Sequence, residues 1–149
     1  MALADLIRPE VVKVPLAGKT KNEVLRELVQ VLLDAGRIGE LESVYDALLA
    51  REALGSTGLE QGVAVPHAKT SAVRRLTAAI GIAPRGVDFQ SADGQPSKLF
   101  FLLLAPPDQS GPHIQALAEI ARLAKSPTFR RLLAGASSPQ EVADLIREG

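Results

Sequence analysis

The chain of 149 residues contains no cysteine. This absence excludes disulfide bonds and zinc sites built from thiolates, and it fits a protein kept in a reducing compartment. Long apolar runs are also missing, because the longest, residues 99–105, is far shorter than the ~20 residues that a membrane helix needs. The opening MALADLIRPE carries Asp5 and has no apolar core of the kind found in signal peptides. We therefore expect a soluble cytoplasmic protein with no membrane insertion.

Aromatic residues and an excess of charge are both scarce. The chain has four Phe, one Tyr and no Trp, and its 17 basic residues balance its 17 acidic residues. A face that binds nucleic acid usually combines a basic stripe with aromatic stacking residues. We therefore expect no nucleic-acid partner. Apolar residues make up 46% of the chain, which is ordinary for a globular domain able to bury a core.

Helical patterns occur near both ends of the chain, and strand patterns lie mostly between them. Capping boxes at Thr20 and Ser138 start two helices. Residues 99–104 are apolar on both faces, which is typical of a central strand covered on both sides. Further helices are predicted at 3–7, 41–54, 113–124 and 126–133, and further strands at 11–14, 62–66, 76–83 and 87–89. The pattern predicts a single α/β domain over residues 1–149, with a mixed central β-sheet flanked by helices on both faces.

The turn Gly55-Ser56-Thr57-Gly58 follows the second long predicted helix. Glycine adopts left-handed backbone angles at little cost, and successive amides in such a turn can form a nest for an anion. Two hydroxyl groups add donors, and Arg51 supplies a guanidinium group suited to phosphate oxygens. An ordinary helix C-cap and turn explains the same residues. The sequence is not a P-loop, since no Gly-Lys-Ser/Thr follows.

The only two histidines each follow a proline. Pro66 stiffens the backbone before His67, and a histidine at a strand end beside an anion nest can act as a nucleophile toward phosphorus or as a general base. His113 opens a predicted helix, where a ring nitrogen or nearby amides can face an anion. The alternatives are a solvated loop histidine and an ordinary first-turn residue. Two histidines 46 positions apart with no cysteine form a poor set of metal ligands, and a site of histidine and carboxylate stays open without a spacing to support it.

These residues together resemble a known family. The segments Arg51-Glu52, residues 54–58 and residues 62–67 (GVAVPH) strongly resemble the active-site motif of enzyme IIA domains of the bacterial phosphoenolpyruvate-dependent phosphotransferase system. The class is the fructose/mannitol type, which includes the nitrogen-regulatory enzyme IIA proteins. The resemblance covers nearly the whole chain. One departure is Ile114, where the family commonly has leucine.

The resemblance implies an α/β domain whose histidine accepts a phosphoryl group from the phosphocarrier HPr. His67 matches the phosphorylated histidine, and His113 matches a second histidine that lies beside it. The positions that match the phosphate pocket are Arg51, Ser56, Thr57 and Gly58. No metal or cofactor is implied. The implied partners are an HPr-type donor and either a IIB domain or a regulated target protein.

Two roles are consistent with this resemblance. The chain ends at Gly149 without a permease, IIB or HPr segment, which leads us to expect a free-standing protein. The first role is a nitrogen-regulatory phosphocarrier that signals by whether His67 carries phosphate. The second is a stand-alone sugar-transport IIA that passes phosphate to a fructose- or mannitol-type IIB. A third reading, a small-anion-binding or hydrolytic domain outside this system, stays open.

Overall fold

The computed structural model describes residues 3–149, so the first two residues of the expected domain lie outside the described part. Over that range the chain forms a mixed α/β structure. The helices are α1 (Leu3–Leu6), α2 (Lys21–Asp34), α3 (Glu42–Ala53), α4 (Ser110–Ala124), α5 (Pro127–Ala134) and α6 (Pro139–Glu148). The strands are β1 (Val12–Lys13), β2 (Val63–Ala64), β3 (His67–Lys69), β4 (Thr77–Val87) and β5 (Ser97–Ala105).

The strands form one sheet in the order β1-β4-β5-β2, and β3 pairs with the same side of β5 as an extension beyond β2. The long strands β4 and β5 are antiparallel neighbours. Each short strand runs parallel to the strand it pairs with: β1 to β4, and β2 and β3 to β5. Every residue of β5 except Lys98 is buried. Because successive side chains of a strand point to opposite faces, this burial requires cover on both faces. The predicted mixed sheet and covered central strand are confirmed.

Two groups of helices provide that cover. Helices α2 and α3 pack together and contact β4 and β3, respectively, while α4 and α5 contact each other and β5. The amphipathic stripe of α2 is fully buried, because apolar residues recur at helical spacing: Val24, Leu25, Leu28, Val29 and Leu32. None of the helices within residues 3–149 is both long and apolar enough to cross a bilayer.

The two predicted capping boxes, at the starts of α2 and α6, form to different extents. At α2 the Thr20 hydroxyl accepts from the Glu23 amide, and the Glu23 carboxylate accepts from the Thr20 amide, as predicted. At α6 the Ser138 hydroxyl accepts from the Glu141 amide. The Glu141 carboxylate, however, accepts from Ser137 and not from Ser138. The second box is therefore only half formed, because the neighbouring serine supplies the nearer donors.

The element boundaries differ from the sequence prediction where pairing is long-range. Strands β1 and β2 are two residues each, shorter than the predicted strands at 11–14 and 62–66. Strand β3 was not predicted, and α4 begins three residues before His113. Strand β3 exists because it finds hydrogen-bonding partners on β5, a contact that no local pattern specifies.

Candidate functional site

The segment Val65-Pro66-His67 is fixed to its surroundings on two sides. The Val65 amide donates to the Thr57 carbonyl at 3.0 Å, and the Leu103 amide donates to the Pro66 carbonyl at 3.0 Å. Proline itself has a fixed φ and needs no hydrogen-bond acceptor. His67 therefore begins β3 on a rigid backbone, with its side chain partly exposed at the edge of the sheet.

The tautomer of His67 follows from one hydrogen bond. Nδ1 of its ring lies 2.6 Å from the carbonyl oxygen of Val65. A carbonyl oxygen only accepts hydrogen bonds, so Nδ1 must carry the proton. In the neutral ring Nε2 is then unprotonated and has a lone pair available for attack. This contact both orients the imidazole and selects its nucleophilic nitrogen.

The structure brings the two histidines together. Helix α4 starts shortly after β5 ends, and His113 lies in its first turn with a buried side chain. The ring centroids of His67 and His113 are 5.3 Å apart, with the ring planes at 80°. In this edge-to-face arrangement, a group bound to one imidazole would lie close to the other imidazole.

The environment of His113 keeps its imidazole neutral. Burial lowers the pKa of His113, and the nearby His67 and Lys69 lower it further. Its Nε2 atom is buried and has no hydrogen-bond partner within residues 3–149. An orphaned ring nitrogen is uncommon in a protein interior and marks a position where a ligand atom can complete the bonding.

Lys69 is a further cation of the site that the sequence did not single out. It lies two residues after His67 on β3, so both side chains project to the same side of the strand. Its Nζ donates to the hydroxyl of Ser110, the first residue of α4, at 2.8 Å. Side chains two residues apart on a strand share a face, so a predicted strand at 67–69 would have placed Lys69 beside His67. The sequence pattern does not predict β3.

The turn at 55–58 does not form the open nest of amides expected from the sequence. The Gly55 amide donates to the Glu52 carbonyl, the Thr57 amide donates to the Glu52 carboxylate, and the Gly58 amide donates to the Ser56 hydroxyl. The Ser56 hydroxyl in turn donates to the Phe89 carbonyl at 2.6 Å. These donors are already used inside the chain, because acceptors lie close to the turn on both sides.

Two other features of the same turn have a structural explanation. Arg51 donates through Nη1 to the Gly55 carbonyl at 2.9 Å, which leaves its Nη2 and Nε without an acceptor in the described residues. A side chain at Gly58 would overlap Ser91, with distances of 2.5 Å to its Oγ and 2.9 Å to its Cα. Gly58 is therefore required for the close approach of the loop around residues 89–91.

A buried ion pair holds this turn against α2. The Glu52 carboxylate lies 2.8 Å from Lys21 Nζ, and the two side chains are only 5% and 15% exposed, respectively. Glu52 also accepts the hydroxyl and amide hydrogens of the buried Thr57. Lys21 lies over the Phe89 ring at 4.7 Å. In the sequence Glu52 stands within the family motif, but no local pattern there indicates its contacts with Lys21 and Thr57.

The described part of the site contains no recognisable metal centre. No group of three or more His, Cys, Asp or Glu side chains placed to bind a metal ion occurs among residues 3–149. The chemical groups present are instead one oriented imidazole, a neutral imidazole beside it, a lysine and an arginine. A nucleophile surrounded by donors and cations suits an anionic electrophile such as a phosphoryl group.

An α/β domain with a strand-end histidine set against a second histidine is the arrangement expected of a phosphoryl carrier. The sequence model described as "Phosphoenolpyruvate-dependent sugar phosphotransferase system, EIIA 2" matches residues 5–149. The chain belongs to this family.

Three similar proteins extend this result. A nitrogen regulatory protein of Bradyrhizobium diazoefficiens is 34% identical over 98% of this chain and 95% of its own length. The fructose-specific EIIABC component of Bacillus subtilis is also 34% identical over 99% of this chain, but the match spans only 23% of that protein. The crystal structure of the nitrogen regulatory protein IIA-Ntr from Neisseria meningitidis superimposes with a TM-score of 0.89 at 30% identity, covering 97% of this chain and 98% of that one.

Removing the Glu52 carboxylate should destabilise the fold. Glu52→Ala leaves Lys21 without its carboxylate partner, although its bond to Gln90 and its contact with the Phe89 ring remain, and it removes both acceptors of Thr57. We expect a loss of about 2–4 kcal/mol in unfolding free energy. The matched control is Glu42→Ala, which breaks the exposed pair with Arg26 and should cost about 1 kcal/mol or less. Urea unfolding of both variants measures the difference, and equal losses would contradict a structural role for Glu52.

His113 should make the fold less stable in mild acid. Since its pKa is lowered in the folded state, the unfolded chain takes up a proton first as the pH falls past the ordinary histidine value of about 6.5. Its contribution to stability is therefore lost between that value and the lower folded pKa. Urea unfolding between pH 7.5 and 5 should show a smaller loss for His113→Gln than for the unaltered protein. An unchanged or steeper pH dependence in the variant would contradict this assignment.

Proposed function

We propose that His67 accepts a phosphoryl group on Nε2 from an HPr-type phosphocarrier. The observation that carries this proposal is the hydrogen bond between His67 Nδ1 and the Val65 carbonyl, which leaves Nε2 as the free nitrogen beside His113. In the transfer, the Nε2 lone pair forms the new P–N bond as the donor's P–N bond breaks and its electron pair returns to the donor ring. The proton stays on Nδ1, and its hydrogen bond to the Val65 carbonyl stabilises the positive charge that develops on the ring.

Three side chains are proposed to surround the transferred group. The orphaned Nε2 of His113, the ammonium group of Lys69 and the unused nitrogens of Arg51 are the donors available for its oxygens. Phosphoryl transfer needs mainly in-line positioning and charge stabilisation, which this set provides. The amides near the start of α4 add the positive end of a helix dipole.

The remaining predicted pocket residues have a different proposed part. The polar groups of Ser56 and Thr57 and the amide of Gly58 are bonded inside the chain. We assign them to holding the turn against Val65 and the 89–91 loop, so that Arg51 and His67 keep their places. They contact the phosphoryl group only after an exchange of these bonds.

Exposed apolar side chains support a protein as donor. Leu54, at the end of α3, is 85% exposed, and Ile114, next to His113, is 64% exposed. Large apolar side chains that remain in water beside a reactive group are typical of a surface that another protein covers. The substitution of Ile114 for the leucine common in the family preserves this apolar character.

The role that we favour is regulatory, with the phosphorylation state of His67 read by a target protein. The similarity to nitrogen regulatory proteins over nearly their full length supports this role. Transfer to a IIB domain is the second candidate, because the fructose-specific relative is by name an EIIABC component. A phosphoryl group on the partly exposed His67 adds negative charge at the surface, which a partner can recognise.

Substituting each histidine in turn distinguishes the proposed phosphoryl acceptor, His67, from its neighbour, His113. His67→Ala should abolish labelling by phosphoenolpyruvate, enzyme I and HPr, because it removes the nucleophile. His113→Ala should still be labelled, but at a rate reduced roughly tenfold or more, since one donor to the phosphoryl oxygens is lost. Intact mass spectrometry over time measures both. Persistent labelling of His67→Ala, or unchanged kinetics of His113→Ala in both directions, would refute the respective role.

Incubation with an acceptor separates the two candidate roles. A regulatory protein should keep its phosphoryl group when a purified fructose- or mannitol-type IIB is added, whereas a transport subunit should lose it within the mixing time. The measurement is the fraction of phosphorylated chain by intact mass, with IIB lacking its phosphorylated residue as the control for hydrolysis. Rapid transfer that needs the intact IIB would overturn the regulatory assignment.

A further inference from the structure

A second concave region lies away from the histidine pair. It has a volume of about 930 Å³ and is bounded by the residues at 5–8, the turn at 36–39 and the stretch at 72–78. This volume lies within the range of small-molecule sites in proteins. Its buried apolar floor includes Ile38, Val73 and Leu76.

The wall of this cavity is rich in arginine. The residues that line it include four arginines, Arg8, Arg37, Arg74 and Arg75. Arg37 pairs with Glu10 at 3.3 Å and donates to the Ala35 carbonyl, and Arg8 lies near enough to Glu10 to lower the pKa of that carboxyl. The guanidinium groups of Arg74 and Arg75 have no hydrogen-bond acceptor or carboxylate partner within residues 3–149. Asp5 is the one acidic side chain among the described residues that line the cavity. The cavity therefore carries an excess of positive charge in a chain that has no net charge.

The loop that carries two of these arginines is held in place. The Gln109 side chain donates to the Arg74 carbonyl at 3.3 Å, and the Thr77 hydroxyl donates to the Arg75 carbonyl at 3.0 Å. The positive charges of neighbouring arginines repel each other. Hydrogen bonds from Gln109, just before α4, and from Thr77 of β4 nevertheless fix the backbone of both residues. A fixed backbone beneath two neighbouring arginines reduces the ordering that anion binding requires, because only the side chains remain to be ordered.

The cavity is separate from the proposed phosphoryl site. Its lining includes neither histidine, nor Arg51, nor the turn at 55–58. Ala78 of the lining and His67 are both paired with Leu103, on opposite sides of β5. Two strand spacings place their Cα atoms about 10 Å apart. The arginines of the cavity are thus not accounted for by transfer to His67.

We propose that this cavity binds a small molecule that carries two or more linked phosphate groups. Guanidinium groups form paired, charge-assisted hydrogen bonds with phosphate oxygens, and several of them around one cavity match several linked phosphates. No aromatic side chain lines the cavity among the described residues, so recognition depends on the phosphate chain and not on stacking of a base. Inorganic polyphosphate and nucleoside polyphosphates share this chemistry.

Isothermal titration calorimetry of the full chain tests the proposal with tripolyphosphate, ATP, AMP and citrate as probes. We expect both tripolyphosphate and ATP to bind at physiological salt, and AMP and citrate to bind much more weakly. Tighter binding of ATP than of tripolyphosphate identifies a nucleoside polyphosphate as the ligand, and the reverse identifies an inorganic one. Failure of tripolyphosphate and ATP to bind at millimolar concentration, or equally tight binding of citrate, overturns the proposal.

Matched variants exclude non-specific attraction. The double substitution Arg74→Gln/Arg75→Gln should weaken tripolyphosphate binding roughly tenfold or more, because charge-assisted hydrogen bonds are lost. Arg85→Gln/Arg131→Gln removes the same charge from exposed positions outside the cavity and should leave affinity nearly unchanged. Equal losses in the two double variants overturn the proposal.

Two further measurements keep this test independent. All four substituted arginines are exposed, so both double variants should fold, and circular dichroism checks this. His67→Ala should bind tripolyphosphate like the unaltered protein. A loss of binding in His67→Ala would show that the probe occupies the histidine site, which overturns the cavity proposal and leaves the phosphoryl-acceptor role intact.

Discussion

The hydrogen bond from His67 Nδ1 to the Val65 carbonyl is the contact on which the site depends. It forms between residues two apart, so its geometry is set by the backbone of the intervening Pro66. That backbone is fixed in turn by Thr57 on one side and by Leu103 of β5 on the other. The ring can therefore keep one nitrogen protonated and the other free without any further partner, a property that a mobile loop histidine would lack.

The central strand β5 explains how residues distant in sequence meet at this ring. Its Leu103 pairs with His67, and shortly after its end the chain enters α4, whose first turn contains His113. Burial on both faces makes β5 the most constrained strand of the sheet. The relative placement of the two imidazoles thus derives largely from the hydrophobic core, and the hydrogen bond from Lys69 to Ser110 adds a link between β3 and α4 within the site.

Local signals in the sequence predicted much of the fold and part of the site. The Thr20 capping box and the apolar run of β5 are specified by nearby residues, and both were predicted. The three-residue strand β3 was missed because it depends on pairing with β5, and Lys69 was missed with it. The resemblance paired His67 with His113, but it could not show whether the amides of the 55–58 turn were free.

The bonding of the 55–58 turn could not be predicted because nothing in the sequence marks the residues that accept its hydrogen bonds. Glu52 lies five positions before Thr57 and reads as part of a helix, while Phe89 lies far away in the chain. No pattern distinguishes a carboxylate that faces solvent from one that folds back onto a turn. Packing decides between the two, since it removes Glu52 from water and leaves Lys21 and Thr57 as its partners.

The ion pair between Lys21 and Glu52 also limits which substitutions this protein can accept during evolution. Lys21 stands in the first turn of α2, where the helix dipole disfavours a positive charge. The nearby Glu52 offsets this cost, together with the Gln90 side chain and the Phe89 ring, and a lone carboxylate at position 52 would be equally out of place. Substitutions at positions 21 and 52 are therefore expected to be coupled, so that change at the start of α2 is limited by a turn that lies beside His67.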